Sequence, residues 1–131
     1  MNLLLDTHIW LWAVGDSRRL GRNTTRHLNS GANQVWLSPV SVWEFINLCR
    51  KGRFRGMRDP YPWIEDALDK WPVREAPFTF EIGLEAGRFE LTHADPSDRL
   101  IIATARVLDC VLVTEDDKII ESGTVETIPN D

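Results

Sequence analysis

Short apolar runs alternate along this chain with segments whose apolar residues recur at helical spacing, and that alternation limits the fold more than any other feature. Leu3-Leu4-Leu5, ending at Asp6, reads as a buried strand, and Thr7 to Val14 as a helix broken by Gly15-Asp16-Ser17. Leu20, Thr24, His27 and Leu28 fall at helical spacing, closed by Gly31, and Gln34 to Leu37 reads as a second strand. Ser38-Pro39 opens a further helix, with serine at N-cap and proline at N1, and Gly52 ends it. Its apolar face is expected to carry Val40, Trp43, Ile46 and Asn47. Pro60 to Pro62 reads as a break, Trp63 to Lys70 as a short helix, and Val73 to Ala76 as a weak strand. Thr79 caps a helix running to about Arg88, and Asp95-Pro96 opens another through Leu108. Cys110 to Val113 is an apolar strand, Lys118 to Glu121 a helical turn, and Thr124 to Ile128 an edge strand. Strands that alternate with helices build a mainly parallel sheet covered on both faces. The expected fold is an α/β, three-layer α/β/α sandwich of about five strands, forming one domain over residues 1–131.

The length and a 43% hydrophobic, 27% charged composition suit one soluble domain with its own core. No apolar run approaches the roughly 18 residues that span a membrane. The opening Met1-Asn2-Leu3-Leu4-Leu5-Asp6 has no basic stretch and meets an acid too early for a secretory signal, so a cytoplasmic location is expected. Cys49 and Cys110 lack metal-type spacing and read as reduced core residues. His8, His27 and His93 form no metal-ligand pattern, and a loop hydrogen bond accounts for His93. The net charge of −5 argues against a general nucleic-acid binder. Residues 50–58 nevertheless carry Arg50, Lys51, Arg53, Arg55 and Arg58 with no acid, enough to hold a polyanion locally or to form a solvated loop. Among the six tryptophans, Trp10, Trp36 and Trp43 fit a core, whereas Trp12, Trp63 and Trp71 are candidates for partner binding or base stacking.

Four acids have a common destination in such a fold. Sites in open α/β sheets form outside the carboxyl ends of the strands. Asp6 ends the first strand, and Asp116 follows the strand Cys110–Val113 by a few residues. Glu44 and Asp98 lie early in helices that start at the same sheet edge. Carboxylates gathered in one cleft repel each other unless protons or cations intervene, and Mg²⁺ or Mn²⁺ suit oxygen ligands. Each acid also has a plain structural reading. Asp6 can terminate a strand, Glu44 can be a surface acid, Asp98 can favour a helix dipole, and Asp116 can form a turn. Asp95, before Pro96, is placed at N-cap, where its carboxylate is expected to accept a backbone amide.

These residues resemble a known family. Leu3-Leu4-Leu5-Asp6-Thr7-His8-Ile9-Trp10-Leu11-Trp12 looks like the opening of PIN-domain toxins of the VapC group. Ser38-Pro39-Val40-Ser41-Val42-Trp43-Glu44-Phe45 is similar to their second motif, and His93-Ala94-Asp95-Pro96-Ser97-Asp98-Arg99-Leu100-Ile101-Ile102-Ala103-Thr104-Ala105 to their third. Leu112-Val113-Thr114-Glu115-Asp116 is similar to the fourth. The resemblance implies a ribonuclease toxin of a toxin–antitoxin pair that uses Mg²⁺ or Mn²⁺, forms homodimers and is silenced by a small antitoxin protein. By motif match, Asp6 and Asp98 would be the main metal ligands, with Glu44 and Asp116 completing the site and Thr7 and Thr114 near it. Arg50, Lys51, Arg53 and Arg55 would contact RNA, and Trp12 and Trp63 the antitoxin. Position 97 departs from the pattern, since many relatives carry a large apolar residue where this chain has serine.

Two other functions fit an acidic α/β domain. A phosphorylation-controlled receiver domain needs an acceptor aspartate ending a central mid-chain strand, whereas the strand here ends Trp36-Leu37-Ser38-Pro39. A PIN-like module that only binds would not need all four acids.

Overall fold

The structure is a computed structural model that describes residues 1–54, 57–91 and 94–131. The expected alternation is present. In chain order it comprises β1 (Asn2–Leu5), α1 (Thr7–Gly15), a 3₁₀ turn (Ser17–Arg19), α2 (Arg22–Asn29), β2 (Gln34–Leu37) and α3 (Pro39–Arg50). There follow α4 (Pro60–Lys70), β3 (Arg74–Glu75), α5 (Phe80–Ala86), α6 (Pro96–Leu108), β4 (Val111–Thr114), α7 (Asp117–Ser122) and β5 (Thr127–Pro129). The five strands pair in parallel in the order β3-β2-β1-β4-β5.

Successive side chains of a strand point to opposite faces, so a wholly apolar strand needs two cores. Leu4 and Leu112 face a core built with Ile82 and Ala86 of α5, Ile101, Ile102 and Ala105 of α6, and Ile119 of α7. Leu3, Leu5, Val111 and Val113 face a second core with Ile9 and Trp10 of α1, Phe45 and Cys49 of α3, and Ile64 and Ala67 of α4. Both cysteines are buried and free. No helix among the described residues is long and apolar enough to cross a membrane.

Several local expectations need correction. Pro60-Tyr61-Pro62 does not interrupt the chain but opens α4. Asp59 Oδ1 accepts from the Tyr61 amide at 3.1 Å, and Pro60 occupies the first turn, where its missing N–H has no partner to lose. Trp43 is not in the core but 59% exposed. Ser41, Phe45 and Cys49, spaced by four, set the inward stripe of α3 with Val40, and Trp43 lies half a turn away. The expected N-caps at Ser38 and Thr79 hold, with amides donated by Val40 at 3.1 Å and Ile82 at 3.4 Å. Asp95 is the N-cap residue of α6, yet its carboxylate makes no capping hydrogen bond. Its carbonyl accepts from the Arg99 amide instead, and its side chain borders the acidic cleft described below.

A candidate acidic active site

Strand order reverses direction between β1 and β4, because β1 runs on to β2 on one side while β4 enters on the other. Ligands of open α/β sheets bind at such a switch point, outside the carboxyl ends. A cleft of about 350 Å³ lies there, bordered by Asp6, Glu44, Asp95, Asp98, Glu115 and Asp116. All four expected acids therefore share one cavity, joined by Asp95, expected only as an N-cap, and by Glu115. Arg53 and His8 bring its basic groups, and Ile9 and Leu48 its apolar wall. Glu44 and Leu48, one turn apart on α3, present the same helix face to it.

Asp6 is the most firmly held of these acids. Its amide donates to the Val113 carbonyl at 3.0 Å, which continues the β1–β4 ladder by one residue. One carboxylate oxygen accepts the Thr7 amide at 2.9 Å and caps α1; the other accepts the Thr114 hydroxyl at 2.6 Å. The Thr114 hydroxyl in turn accepts the Asp116 amide at 3.1 Å, so one threonine ties the first acid to the last. Asp116 caps α7 through the Lys118 amide at 2.9 Å. Thr7 supports the site differently: its buried hydroxyl donates to Ser41 at 3.0 Å and pins α1 to α3. Glu44 accepts the hydroxyl of Ser97 at 2.5 Å.

The charge pattern is unfavourable without a cation. Burial pushes the Asp98 carboxyl up to about 7, and the neighbouring carboxylates of Asp6, Glu44, Asp95 and Asp116 add to the push. Asp6 is also raised, chiefly by burial, although the Thr114 and Thr7 hydrogen bonds oppose it; Glu44 raises it further and His8 lowers it. Hard oxygen donors and repelling negative charge fit a divalent cation by chemistry. Among the described residues, however, no three acidic, histidine or cysteine side chains are gathered into a preformed metal-binding group. The carboxylates share a cleft without converging on one point.

The remaining candidates are placed as follows. Of the basic segment, Arg53 borders the acidic cleft, Arg50 and Lys51 are exposed at the end of α3 without lining it, and Arg55 lies outside the described residues, as does His93. Trp12 and Trp63 line a shared surface cavity of about 230 Å³ with Phe54 and Met57, where the Arg19 guanidinium sits 4.9 Å from the Trp12 ring centre. Arg99, beside Asp98 in sequence, turns away from the cleft. Its guanidinium donates to the carbonyls of Ala86 at 2.8 Å, Phe89 at 3.0 Å and Leu91 at 2.9 Å, clamping the link between α5 and α6. A larger cavity of about 420 Å³ beside β5 holds Glu81, Glu85, Asp109 and Glu126, but its arginine, Arg106, is already engaged by Glu85 at 2.9 Å and by the Thr124 carbonyl.

Sequence reasoning missed Ser97 as a partner of Glu44 and gave Glu115 no place. The serine was visible as a departure from a motif, but a contact across 53 residues carries no local signal.

Comparison with known proteins bears on the fold and the family. The family model described as PIN domain matches residues 3–123. No curated protein matches the chain. Among solved structures, a chain of VapBC2 from Rickettsia felis bound to a DNA fragment from their promoter is similar over 100% of both chains, at 17% identity and a TM-score of 0.72. A chain of VapBC-1 from nontypeable Haemophilus influenzae matches at 17% identity and a TM-score of 0.69, covering 98% of each chain. One of DNA-bound VapBC from Salmonella typhimurium matches at 16% identity and a TM-score of 0.73, covering 100% of this chain and 99% of that one. At such identities the likeness is one of fold. The family model, which spans nearly the whole sequence, carries the assignment: this chain belongs to the PIN domain family.

Proposed function

We propose that this PIN-domain chain is an endoribonuclease dependent on Mg²⁺ or Mn²⁺, acting in the cytoplasm as the toxin of a toxin–antitoxin pair. The observation that carries the reading is the acidic cleft at the β1–β4 switch point, which Asp6, Glu44, Asp98 and Asp116 all border and in which Asp98 resists ionisation to about 7. A divalent ion there would be held by Asp6 and Asp98, with Glu44 and Asp116 completing the oxygen set. When bound, such an ion lowers the pKa of its water from about 15.7 towards neutrality and offsets charge building on a phosphate.

The chain's own residues supply the rest. Thr7 and Thr114 fix both oxygens of Asp6, so that its orientation does not depend on a ligand. Arg53 offers a cation for the RNA backbone beside acids that would otherwise repel it, and the exposed Arg50 and Lys51 at the end of α3 would add charge for the same backbone. The VapBC structures that this fold resembles support an antitoxin partner. The cavity between Trp12 and Trp63 fits an apolar anchor of that protein, and homodimerisation goes with the same resemblance.

The rival receiver reading is disfavoured by topology. Receiver domains have strand order 2-1-3-4-5, whereas the order here is β3-β2-β1-β4-β5, and no acid ends β2. A module that only binds RNA is separated from a nuclease by incubating purified protein with structured and unstructured RNAs in Mn²⁺ and then in EDTA. Cleavage in Mn²⁺ that EDTA abolishes is expected; binding without cleavage refutes the enzymatic reading. Expression alone should arrest growth, and the neighbouring small gene product should relieve it.

A further inference from the structure

We infer that Ser97 is the positioning residue for Glu44, holding that carboxylate in the cleft against the repulsion of the other acids. The inference rests on the metal-dependent reading above and deepens it.

Ser97 lies in the first turn of α6, immediately before Asp98, and is 9% exposed. Its hydroxyl donates to Glu44 Oε2 at 2.5 Å, across two helices and 53 residues. That length belongs to an O–H donor on a charged carboxylate, the stronger kind of hydrogen bond. Glutamate is a long, flexible side chain, and immobilising one costs about 1–2 kcal/mol of rotamer freedom. Here the cost is raised by its neighbours, because Glu44 adds to the repulsion on both Asp6 and Asp98. Left alone, the carboxylate gains by swinging towards water. The Ser97 hydroxyl removes that option by binding one oxygen, and leaves Oε1 for the cleft. Because Ser97 and Asp98 are consecutive on one helical turn, the same rigid element presents Asp98 and fixes Glu44.

The test is a double-mutant cycle with two readouts on purified, metal-free protein: Mn²⁺ affinity by calorimetry and stability by urea unfolding. Ser97→Ala removes the donor with little change in volume. Loss of an outer partner of a metal ligand weakens metal binding roughly 10–100-fold, so Ser97→Ala should raise the Mn²⁺ Kd at least about tenfold. Glu44→Ala should weaken it as well, and Ser97→Ala in that background should add almost nothing. A purely structural serine gives the opposite pattern, with equal effects on Kd in both backgrounds or a change in urea midpoint alone, and either result overturns the role. A wild-type protein that does not take up Mn²⁺ refutes the nuclease reading and this inference with it. Additive effects in a protein that does bind Mn²⁺ refute Ser97 alone.

Discussion

Replacing Asp98 by asparagine separates the charge of the cleft from its shape. In the metal-free fold, the ionisation of Asp98 is delayed from the ordinary 3.8 to about 7, first by burial and then by Asp6, Glu44, Asp95 and Asp116. A carboxyl raised on folding contributes stability that is fully present below about pH 4 and is lost as the pH rises towards 7. The unscreened penalty at pH 8 is about 4 kcal/mol at 1.36 kcal/mol per pH unit. Asp98 keeps contact with water, and Arg53 and His8 border the same cleft, so the effective value is about 1–2 kcal/mol. Asp98→Asn keeps the shape and abolishes the charge. Without metal it should therefore match the wild type near pH 4 and exceed it at pH 8 by roughly 3–8 °C in melting temperature. Mn²⁺ should reverse the order, because only the wild type keeps the carboxylate proposed to hold it. Thermal melts from pH 4 to pH 8, in EDTA and in Mn²⁺, measure both effects. A variant that gains nothing at pH 8, or gains equally at every pH, refutes the argument that crowded carboxylates destabilise this cleft.

Three further outcomes follow from named contacts. Thr114→Val deletes the hydroxyl shared by Asp6 and the Asp116 amide. It should cost about 1–3 kcal/mol in urea unfolding, lower cleavage at least about tenfold, and move the acid limb of the pH–rate profile upward, because the Thr114 bond lowers Asp6. Arg99→Ala leaves three carbonyls without their donor and should destabilise the fold by about 2–4 kcal/mol in the same assay, with the metal affinity of the folded fraction unchanged. Arg53→Gln should weaken RNA binding and reduce the slope of log K against log salt by about one, while the same change at Lys51, which does not line the cleft, should have the smaller effect on cleavage rate.

The sheet was legible because its signals are local. Leu3-Leu4-Leu5 and Val111-Leu112-Val113 are apolar at every position, and only a strand covered on both faces tolerates that. The gathering of Asp6, Glu44, Asp98 and Asp116 at one cleft was legible too, since parallel strands bring their carboxyl ends to one edge. What escaped was decided by tertiary packing. Trp43 is apolar, but the stripe of Ser41, Phe45 and Cys49 fixes the rotation of α3 and leaves it outside. Pro60 and Pro62 read as breakers, yet an N-cap aspartate before them makes a helix start. Asp95 has the sequence of a capping residue, but its carboxylate borders the cleft instead of binding an amide. The Ser97–Glu44 bond depends on how α3 and α6 cross, which no short motif encodes.

The central claim is that the acids of this cleft direct a water molecule onto an RNA phosphodiester. Cleavage of an RNA in H₂¹⁸O with Mn²⁺, with the fragments weighed by mass spectrometry, tests it most directly. The wild type should yield fragments whose new terminal phosphate carries one ¹⁸O, with no 2′,3′-cyclic phosphate, and both Asp6→Asn and added EDTA should leave the RNA intact. Cyclic phosphate ends, or equal cleavage in EDTA, would show that the RNA's own 2′-hydroxyl or a metal-free route does the work, and would contradict the account.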